Sequence, residues 1–573
     1  MLSLLITGRL YWPVLGLLVR AAVGGVMPMS WGMVVANDHE LQPAARNNCV
    51  QENECGFTTY PKLCAETLLG HPNVHDTVSA LLEKTIDETT KLSTAAILPN
   101  YQLAKSLKSQ HPHHGLAMSI GYCVEVMDMS LKRLNQSLIA LRNSRIKSKH
   151  DIQTWLSAVL TFQQACKDSV EYSSSSSSSF FLSSTGSLSV GKISNSMEHL
   201  SRLASNSLAL VNRISRSGRR LSHRVASHET TTTTTSSPSL PLHFPSWVSP
   251  KDRELLQSGS GSGGGGGIKA NAVVAKDGTG NFMSVHEAIN AATGGRFVIY
   301  VKAGVYKEKI RTKKNGITLI GDGKYSTIIV GSHSVSSGSS LSHTPTFAIS
   351  GDGFIARDIG FQNTAGPQAK QAVALYVASD RSVLYRCSIS GYQDTLYALA
   401  FRQFYRECDI LGTIDFIFGN AAAVFQRCNL VLRQPHSGGF NVILANGRSD
   451  SGQNTGFSVQ SSRIVRSADF SGGHKAYLGR PWKQYSRSVV MQSSIDGAID
   501  ARGWVEWSGG FALKTLYFAE YQNSGPGART SQRVQWTGFH LISAPDALQF
   551  TVAKFIGGDS WLPSTGVTYV SCL

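Results

Sequence analysis

Three stretches in the second half of the chain repeat one pattern, "VLYRCSI", "FYRECDI" and "VFQRCNL", with Cys387, Cys408 and Cys428 in register at steps of 21 and 20 residues. A period near twenty with one strand signature per copy reads as a parallel β-helix, each copy being one rung. The flanking sequence agrees. From residue 268 onward it runs in short stretches rich in Val, Ile, Phe and Tyr, such as "FVIYV" and "GITLIG", punctuated by Gly, Asn and Asp, with no long helical stripe between them.

The repeat places two acids. Asp394 follows Cys387 by seven residues and Asp415 follows Cys408 by seven, so both hold the same position on neighbouring rungs. Rungs stack about 4.8 Å apart, which brings the two carboxyl groups within a few ångströms of each other. Both sit among aromatic and apolar residues, where an ionised carboxylate is costly to bury. Like charges that close resist joint ionisation, so one acid holds its proton to higher pH and stands as a proton donor beside an ionised nucleophile or base. Asp also caps solenoid turns without any chemistry. The register, with Gln371 and Gln393 as amide donors and a wall of Tyr392, Phe416 and Phe418, favours a hydrolytic site. The same stacking puts Cys387 and Cys408 within disulfide reach, and Cys428, one rung on, competes for Cys408 on geometry alone.

At 573 residues the chain exceeds what one hydrophobic core serves, so at least two domains are expected. Low-complexity stretches mark the joint: serines at 173–179, Thr and Ser at 230–237, Gly and Ser at 258–267. The expected layout is 1–36 as a leader or anchor, 48–215 as a helical domain, 216–267 as a linker, and 268–573 as the β-helix. Near the N-terminus, Arg9 precedes "LYWPVLGLLV" and small residues recur at Val34 to Ala36, the pattern of a signal sequence cut after Ala36. Arg20 and a second apolar run leave an uncleaved membrane anchor as the other reading. Either route delivers the nine cysteines to an oxidising compartment. Asn135-Gln136-Ser137 is a glycosylation acceptor sequence.

The formal charge of +17 and a pI near 9.5 call for an acidic partner: nucleic acid, anionic membrane or acidic polysaccharide. Nucleic acid has only the charge in its favour, since no RNP-type aromatic pair, zinc-finger spacing or basic helix accompanies it.

In the first half, Val124, Met127, Leu131, Leu134, Leu138 and Leu141 draw one helical stripe. Others run through Ile152, Leu156 and Val159, and through Leu200, Leu203, Val211 and Ile214. With the segment Val78 to Ile86 they predict an up-and-down bundle. Cys55 and Cys64 flank "GFTTYPKL" while Cys123 and Cys166 sit on successive long helices, so two staples are expected, Cys55 to Cys64 and Cys123 to Cys166, with Cys49 left over. In "CGFTTYPKLC" and "DIQTWLSAVLTFQQACKDS" this half resembles the plant invertase and pectin methylesterase inhibitor family, which implies a four-helix bundle that binds a wall enzyme. The linker carries "RSGRRLSHR", whose Arg219, Arg220 and Leu221 form a dibasic site open to a processing protease.

The second half, in "GFIARDIGFQNTAGP", "QAVAL", "YQDTLY", "GTIDFIFGNAAAVFQ", "YLGRPWKQYS" and "FIGGDSWL", resembles plant pectin methylesterases. The resemblance implies a right-handed parallel β-helix that hydrolyses methyl esters of homogalacturonan. It assigns Asp415 as nucleophile, Asp394 as acid and then base, Gln371 and Gln393 as oxyanion donors, Arg480 as the partner that keeps Asp415 ionised and aimed, and Trp482 as a flat face for the sugar. It implies no cofactor and no metal. With the inhibitor-like front half it implies a pro-enzyme, secreted to the cell wall, cut by a subtilisin-like protease and open to separate inhibitor proteins.

Three departures from the family pattern bear on function. Leu341 stands where a substrate-contacting Thr is common, Asn446 where Gln is common, and Ser462 where a cysteine is common, which leaves Cys428 unpaired. A wall-associated binding protein with a vestigial site is the rival reading, and intact Asp394, Asp415 and Arg480 speak against it. A β-helix hydrolase or lyase on the same polymer would carry other acidic motifs, or calcium and an arginine base.

Overall fold

The computed structural model describes residues 54–69, 77–97, 102, 114–176, 190–214 and 270–573 except 437 and 472. The expected leader or anchor at 1–36, Cys49 and the linker with Arg219, Arg220 and Leu221 lie outside the described residues.

From Ala272 to Leu541 the chain winds as a parallel β-helix of three sheets. Among the described residues sheet I has eleven strands, sheet II eight and sheet III seven, and every pairing is parallel. One rung gives Ser382–Tyr385 to sheet I, Ser388–Ser390 to sheet II and Leu396–Ala398 to sheet III; the next gives Arg402–Arg406, Asp409–Gly412 and Ile417–Gly419. Inside the coil like stacks on like: Phe347, Leu375, Leu396, Ile417 and Leu444 form one inward row of sheet III, all buried.

The corner between sheets I and II turns by one device. Asp358, Arg386, Glu407, Arg427, Ser461, Gln492 and Gln522 occupy it rung after rung, all left-handed with φ from 46° to 55°. That conformation costs a non-glycine residue some energy, which the flanking ladders hold in place. The next residue on each rung points inward, and this row contains Cys387, Cys408, Cys428 and Ser462.

The cysteine row corrects one expectation. Cys387 and Cys408 are both buried free thiols, as is Cys428. In-register rungs hold their Cβ atoms near the strand spacing of about 4.8 Å, beyond the roughly 3.5–4.5 Å that a disulfide spans. The Cys408 thiol instead donates to the carbonyls of Leu384 and Arg406. Ser462 closes the row, its Oγ accepting from the Cys428 amide at 3.0 Å and donating to Phe425 at 3.1 Å. Cys428 is unpaired, as the Ser462 replacement implied, and Cys572 is free and exposed.

The helical domain is a bundle: α1 (Pro61–Leu69), α2 (Thr77–Leu92), α3 (His114–Ser176) and α4 (Val190–Arg213). Ser144 is extended at φ −168° and ψ 97°, breaking α3 into two arms, so four long helical segments pack together. The expected stripes are the core: Met127, Leu134, Leu141, Ile152, Leu156, Val159, Leu203 and Val211 are all nearly or fully buried. Both expected staples are present, Cys55–Cys64 and Cys123–Cys166. Asn135 is exposed on α3, its amide donating to the Leu131 carbonyl at 2.9 Å.

The bundle lies on the outer face of sheet III. Ile120, Tyr122, Val126, Phe162 and Val170 share one buried apolar cluster with Tyr376, Tyr397, Phe401 and Phe418 of the β-helix. Each large side chain so buried contributes roughly 1.5–3 kcal/mol. Polar contacts fix the seat. Arg402, buried, binds Asp380 on its own domain at 2.5 Å and Asp151 of α3 at 2.7 Å. Arg133 reaches Asp352 at 2.6 Å, and Gln453 donates to the Ser157 carbonyl at 2.8 Å. Burial opposes the charge on Asp380, but Arg402 outweighs it and the Asp380 pKa is lowered.

Alkylating the denatured, unreduced protein should label Cys387, Cys408 and Cys428, while Cys55, Cys64, Cys123 and Cys166 should label only after reduction. Peptide mass spectrometry reads both, and a bridged Cys387–Cys408 peptide would contradict the free-thiol row.

Candidate active site

The outer row of sheet III builds a floor. Ala348, Tyr376, Tyr397, Phe418 and Ala445 stand in register on successive rungs. Tyr397 and Phe418 stack at 4.1 Å between ring centroids, and Tyr376 meets Tyr397 edge-on at 5.3 Å. Gly419, at φ 121°, lets the following turn close, since a Cβ there would lie 2.1 Å from the Ala398 carbonyl oxygen.

Asp394 and Asp415 stand at the entry to this sheet, each two residues before a strand whose first residues pair, Leu396 with Ile417. Both are left-handed, at φ 62° and 50°. The turn breaks the in-and-out alternation of the strand, so the aromatic walls differ from expectation. Phe416 points into the coil and is fully buried in its core. Tyr392 turns to the other side of the corner, where its hydroxyl accepts from Arg433 at 2.7 Å. The walls are Tyr397, Phe418, Trp482 and Trp507.

Asp415 is 4 % exposed and bound bidentately by Arg480, Nε to Oδ1 at 2.8 Å and Nη2 to Oδ2 at 2.6 Å. Asp394, 7 % exposed, is pushed well above the usual carboxylate range by burial and by the neighbouring Asp415, with Arg480 pulling only weakly the other way. The environments of the two acids differ, and one guanidinium accounts for the difference.

All six residues expected at the site, Asp394, Asp415, Gln371, Gln393, Arg480 and Trp482, line one cavity of about 580 Å³. The Gln371 side-chain oxygen is buried there without a hydrogen-bond partner, an unspent amide on the wall. Trp482 packs against Gly447, where a Cβ would come within 2.7 Å of its ring. Leu341 also lines the cavity, in a single 3-10 turn. Asn446 does not. It is fully buried below the floor, donating to the Gly419 carbonyl and accepting from the Arg448 and Arg487 amides, a scaffold role.

Phe418 stands in the wall as expected, while sequence reasoning missed several other wall residues. Tyr397 follows Asp394 by three residues as Phe418 follows Asp415, so the repeat that found the acids also marked Tyr397. Trp507 sits under the Arg480 guanidinium at 4.3 Å and carried no spacing signal. Tyr122, Asp168 and Glu171 enter the cavity from α3, and Lys483 faces them from the β-helix. Only the docking of the two domains puts them there. Among the described residues no cluster of three or more His, Cys, Asp or Glu could hold a metal ion.

An acid whose pKa is raised, beside a carboxylate gripped by a guanidinium and near amides in an aromatic-walled cleft, suits the hydrolysis of an ester on a sugar chain. The comparisons with known proteins give the class its family. The pectinesterase family profile matches residues 271–559, and the plant invertase/pectin methylesterase inhibitor profile matches 51–210. The chain is 45% identical to Probable pectinesterase/pectinesterase inhibitor 54 of Arabidopsis thaliana, over 92% of this chain and 94% of that one. It is 41% identical to Pectinesterase 1 of Citrus sinensis, over 91% and 88%. The solved pectin methylesterase from carrot is 50% identical with a TM-score of 0.53, covering 54% of this chain and all of its own. This chain belongs to the pectinesterase family. It is a carboxylic ester hydrolase, a pectin methylesterase that carries an inhibitor-like domain.

The raised Asp394 pKa has a definite linkage sign. Between about pH 4, where an unfolded aspartate ionises, and its higher folded value, folding takes up a proton, so Asp394 lowers stability as pH rises through that window. Asp394→Asn should therefore leave the melting temperature near wild type at pH 4 and raise it by about 2 °C at pH 8. A gain independent of pH, read by calorimetry, would contradict the assignment.

Proposed function

We propose that the chain hydrolyses methyl esters of homogalacturonan through Asp415 as nucleophile and Asp394 as acid and base. The observation that carries this reading is the bidentate Arg480–Asp415 pair one rung from an acid held protonated by burial. The Asp415 carboxylate attacks the ester carbonyl carbon, and the oxyanion so formed takes hydrogen bonds from the Gln371 and Gln393 amides. As it collapses, the C–O bond to methoxide breaks and Asp394 gives it a proton, releasing methanol and leaving an anhydride between Asp415 and the sugar acid. Ionised Asp394 then takes a proton from water, whose oxygen attacks the sugar-acid carbonyl. Galacturonic acid leaves and gives its proton to solvent, Asp415 is a carboxylate again and Asp394 is protonated. Trp482 offers the sugar an apolar face.

In the uncut chain the helical domain restrains this chemistry. Tyr122 of α3 lies over the aromatic floor, its hydroxyl 3.4 Å from that of Tyr376, in the place a sugar ring needs. We assign release to cleavage by a subtilisin-like protease at Arg219, Arg220 and Leu221, on the secretory route to the cell wall, where separate inhibitor proteins compete for the same cleft. Asn135 is exposed for glycosylation.

Methanol release from highly methylated pectin tests the reading, compared for the intact chain, the chain cut in the 216–267 linker and freed of its helical half, and the freed Asp415→Ala variant. The freed wild type should release methanol without shortening the polymer, the intact chain far less, and the variant about 10³-fold less or below. A well-folded freed enzyme that releases none would favour the binding-protein reading.

Removing the apolar floor contact tests the restraint separately. Tyr122→Ala in the intact chain should raise methanol release severalfold without any cut, whereas unchanged release would place the restraint elsewhere.

A further inference from the structure

A second cavity, of about 270 Å³, lies in the seam between the helical domain and the β-helix and shares no lining residue with the catalytic cleft. Asp352 and Arg381 reach it from the turns that follow strands Phe347–Ile349 and Leu375–Val377, whereas Asp394 and Asp415 precede their strands, so the two cavities flank opposite edges of sheet III. Both arms of α3 close it, the first with Arg133 and the second with Trp155.

Donors outnumber acceptors in this wall. Among the described residues four buried side-chain nitrogens have no hydrogen-bond partner in the protein, and three of the four belong here: Nε of Arg133, Nε of Arg381 and Nε1 of Trp155. A buried N–H left unpaired is costly. The guanidinium groups are not at liberty to turn towards a partner. Arg133 gives Nη1 to Gln136 at 2.8 Å and Nη2 to Asp352 at 2.6 Å while its plane lies 4.3 Å from the Phe401 centroid, and Arg381 gives Nη2 to Asp151 at 3.1 Å. A rigid planar group gripped at its far nitrogens has its Nε fixed as well. The carboxylates of the wall are already engaged: Asp352 also accepts from the Asp380 amide at 3.1 Å, and Asp380 takes Arg402 at 2.5 Å. Three arginines, Arg133, Arg296 and Arg381, face two aspartates, Asp352 and Asp380, which leaves one positive charge over.

We propose that this cavity binds a small oxyanion, either inorganic or the carboxylate of an organic acid, which clasps α3 to the β-helix. Such a ligand carries acceptors and negative charge, matching the unpaired donors and the surplus cation, whereas water would bring donors of its own into a wall that has too many. Two of the three orphaned N–H groups come from α3 and the third from the β-helix, so the site is complete only while the domains are docked. The anion therefore favours the docked state by mass action. It tightens the hold of the helical domain on the cleft, a consequence that rests on the restraint described under Proposed function.

The test titrates the intact chain with sodium sulfate and with sodium acetate in a calorimeter, and follows its melting temperature in each salt at an ionic strength held constant with sodium chloride. One equivalent of anion should bind. The tighter of the two names the source, sulfate an inorganic oxyanion and acetate an organic acid. W155F, which keeps an aromatic ring and loses the indole N–H, and R381Q should each weaken binding about tenfold. Sulfate stabilises folded proteins generally by exclusion from their surface, so the melting shift is read as the difference between wild type and these variants. The freed β-helix half lacks Arg133 and Trp155 and should bind neither anion; the carrot homologue is solved as a chain of this half alone. The bound anion should also lower methanol release by the intact chain and leave that of the freed half unchanged. The proposal is overturned if neither anion binds the intact chain, if both variants bind as wild type does, or if the freed half binds equally well. Failure of the esterase reading shows separately, as a freed half that releases no methanol in any salt, and the calorimetric arm still decides whether the seam holds an anion.

Discussion

In-register parallel stacking of the rungs is the constraint on which everything else in this molecule depends. It is a backbone requirement: each strand satisfies its hydrogen bonds only against the strands before and after it, so rung follows rung at a fixed spacing. One consequence is a core of like side chains stacked on like. The other is that any residue type recurring at the repeat period becomes a column. The acids at 394 and 415 are such a column, and so are the buried thiols at 387, 408 and 428. The spacing that makes an interacting pair of carboxylates holds the thiols apart, because a carboxylate pair acts through space while a disulfide needs closer Cβ atoms.

Electrostatics then separates two acids that the backbone makes equivalent. Both are nearly buried, so neither gains much from water. Arg480, arriving from the rung of Ala476–Gly479, gives both of its hydrogen bonds to Asp415. Asp394 is left facing burial and a neighbouring carboxylate, which keeps its proton on. A single guanidinium makes a symmetric pair unequal, since it binds Asp415 at both oxygens and leaves Asp394 with a raised pKa.

The helical domain completes the picture from the outside. Its α3 meets the aromatic floor with Tyr122 and the rim with Asp168, so it covers an apolar surface and pairs with Lys483 across the cleft. The two domains share one apolar cluster and are tied by Arg402, Arg133 and Gln453.

Much of this was legible in the sequence alone, because it follows from period and chemistry. The repeat at 387, 408 and 428 determined the β-helix, and the matched seven-residue offsets determined that Asp394 and Asp415 are neighbours. The three-and-four spacing of leucines determined the bundle, and the two cysteine pairs its staples. What the tertiary structure decided lies where period fails. The left-handed turns at 394 and 415 break the strand alternation, so Phe416 went inward, Tyr392 went to the far side, and Tyr397 joined the expected Phe418 in the wall. The Cβ separation of stacked rungs decided the state of Cys387 and Cys408. Asn446 proved to be scaffold, because the side chain that replaced Gln is buried beneath the floor and not in the cleft. Trp507, Lys483 and Asp168 come together only through folding of distant segments and docking of one domain on another. Local pattern carries no record of contacts between residues hundreds of positions apart, and those contacts determine what the cavity holds.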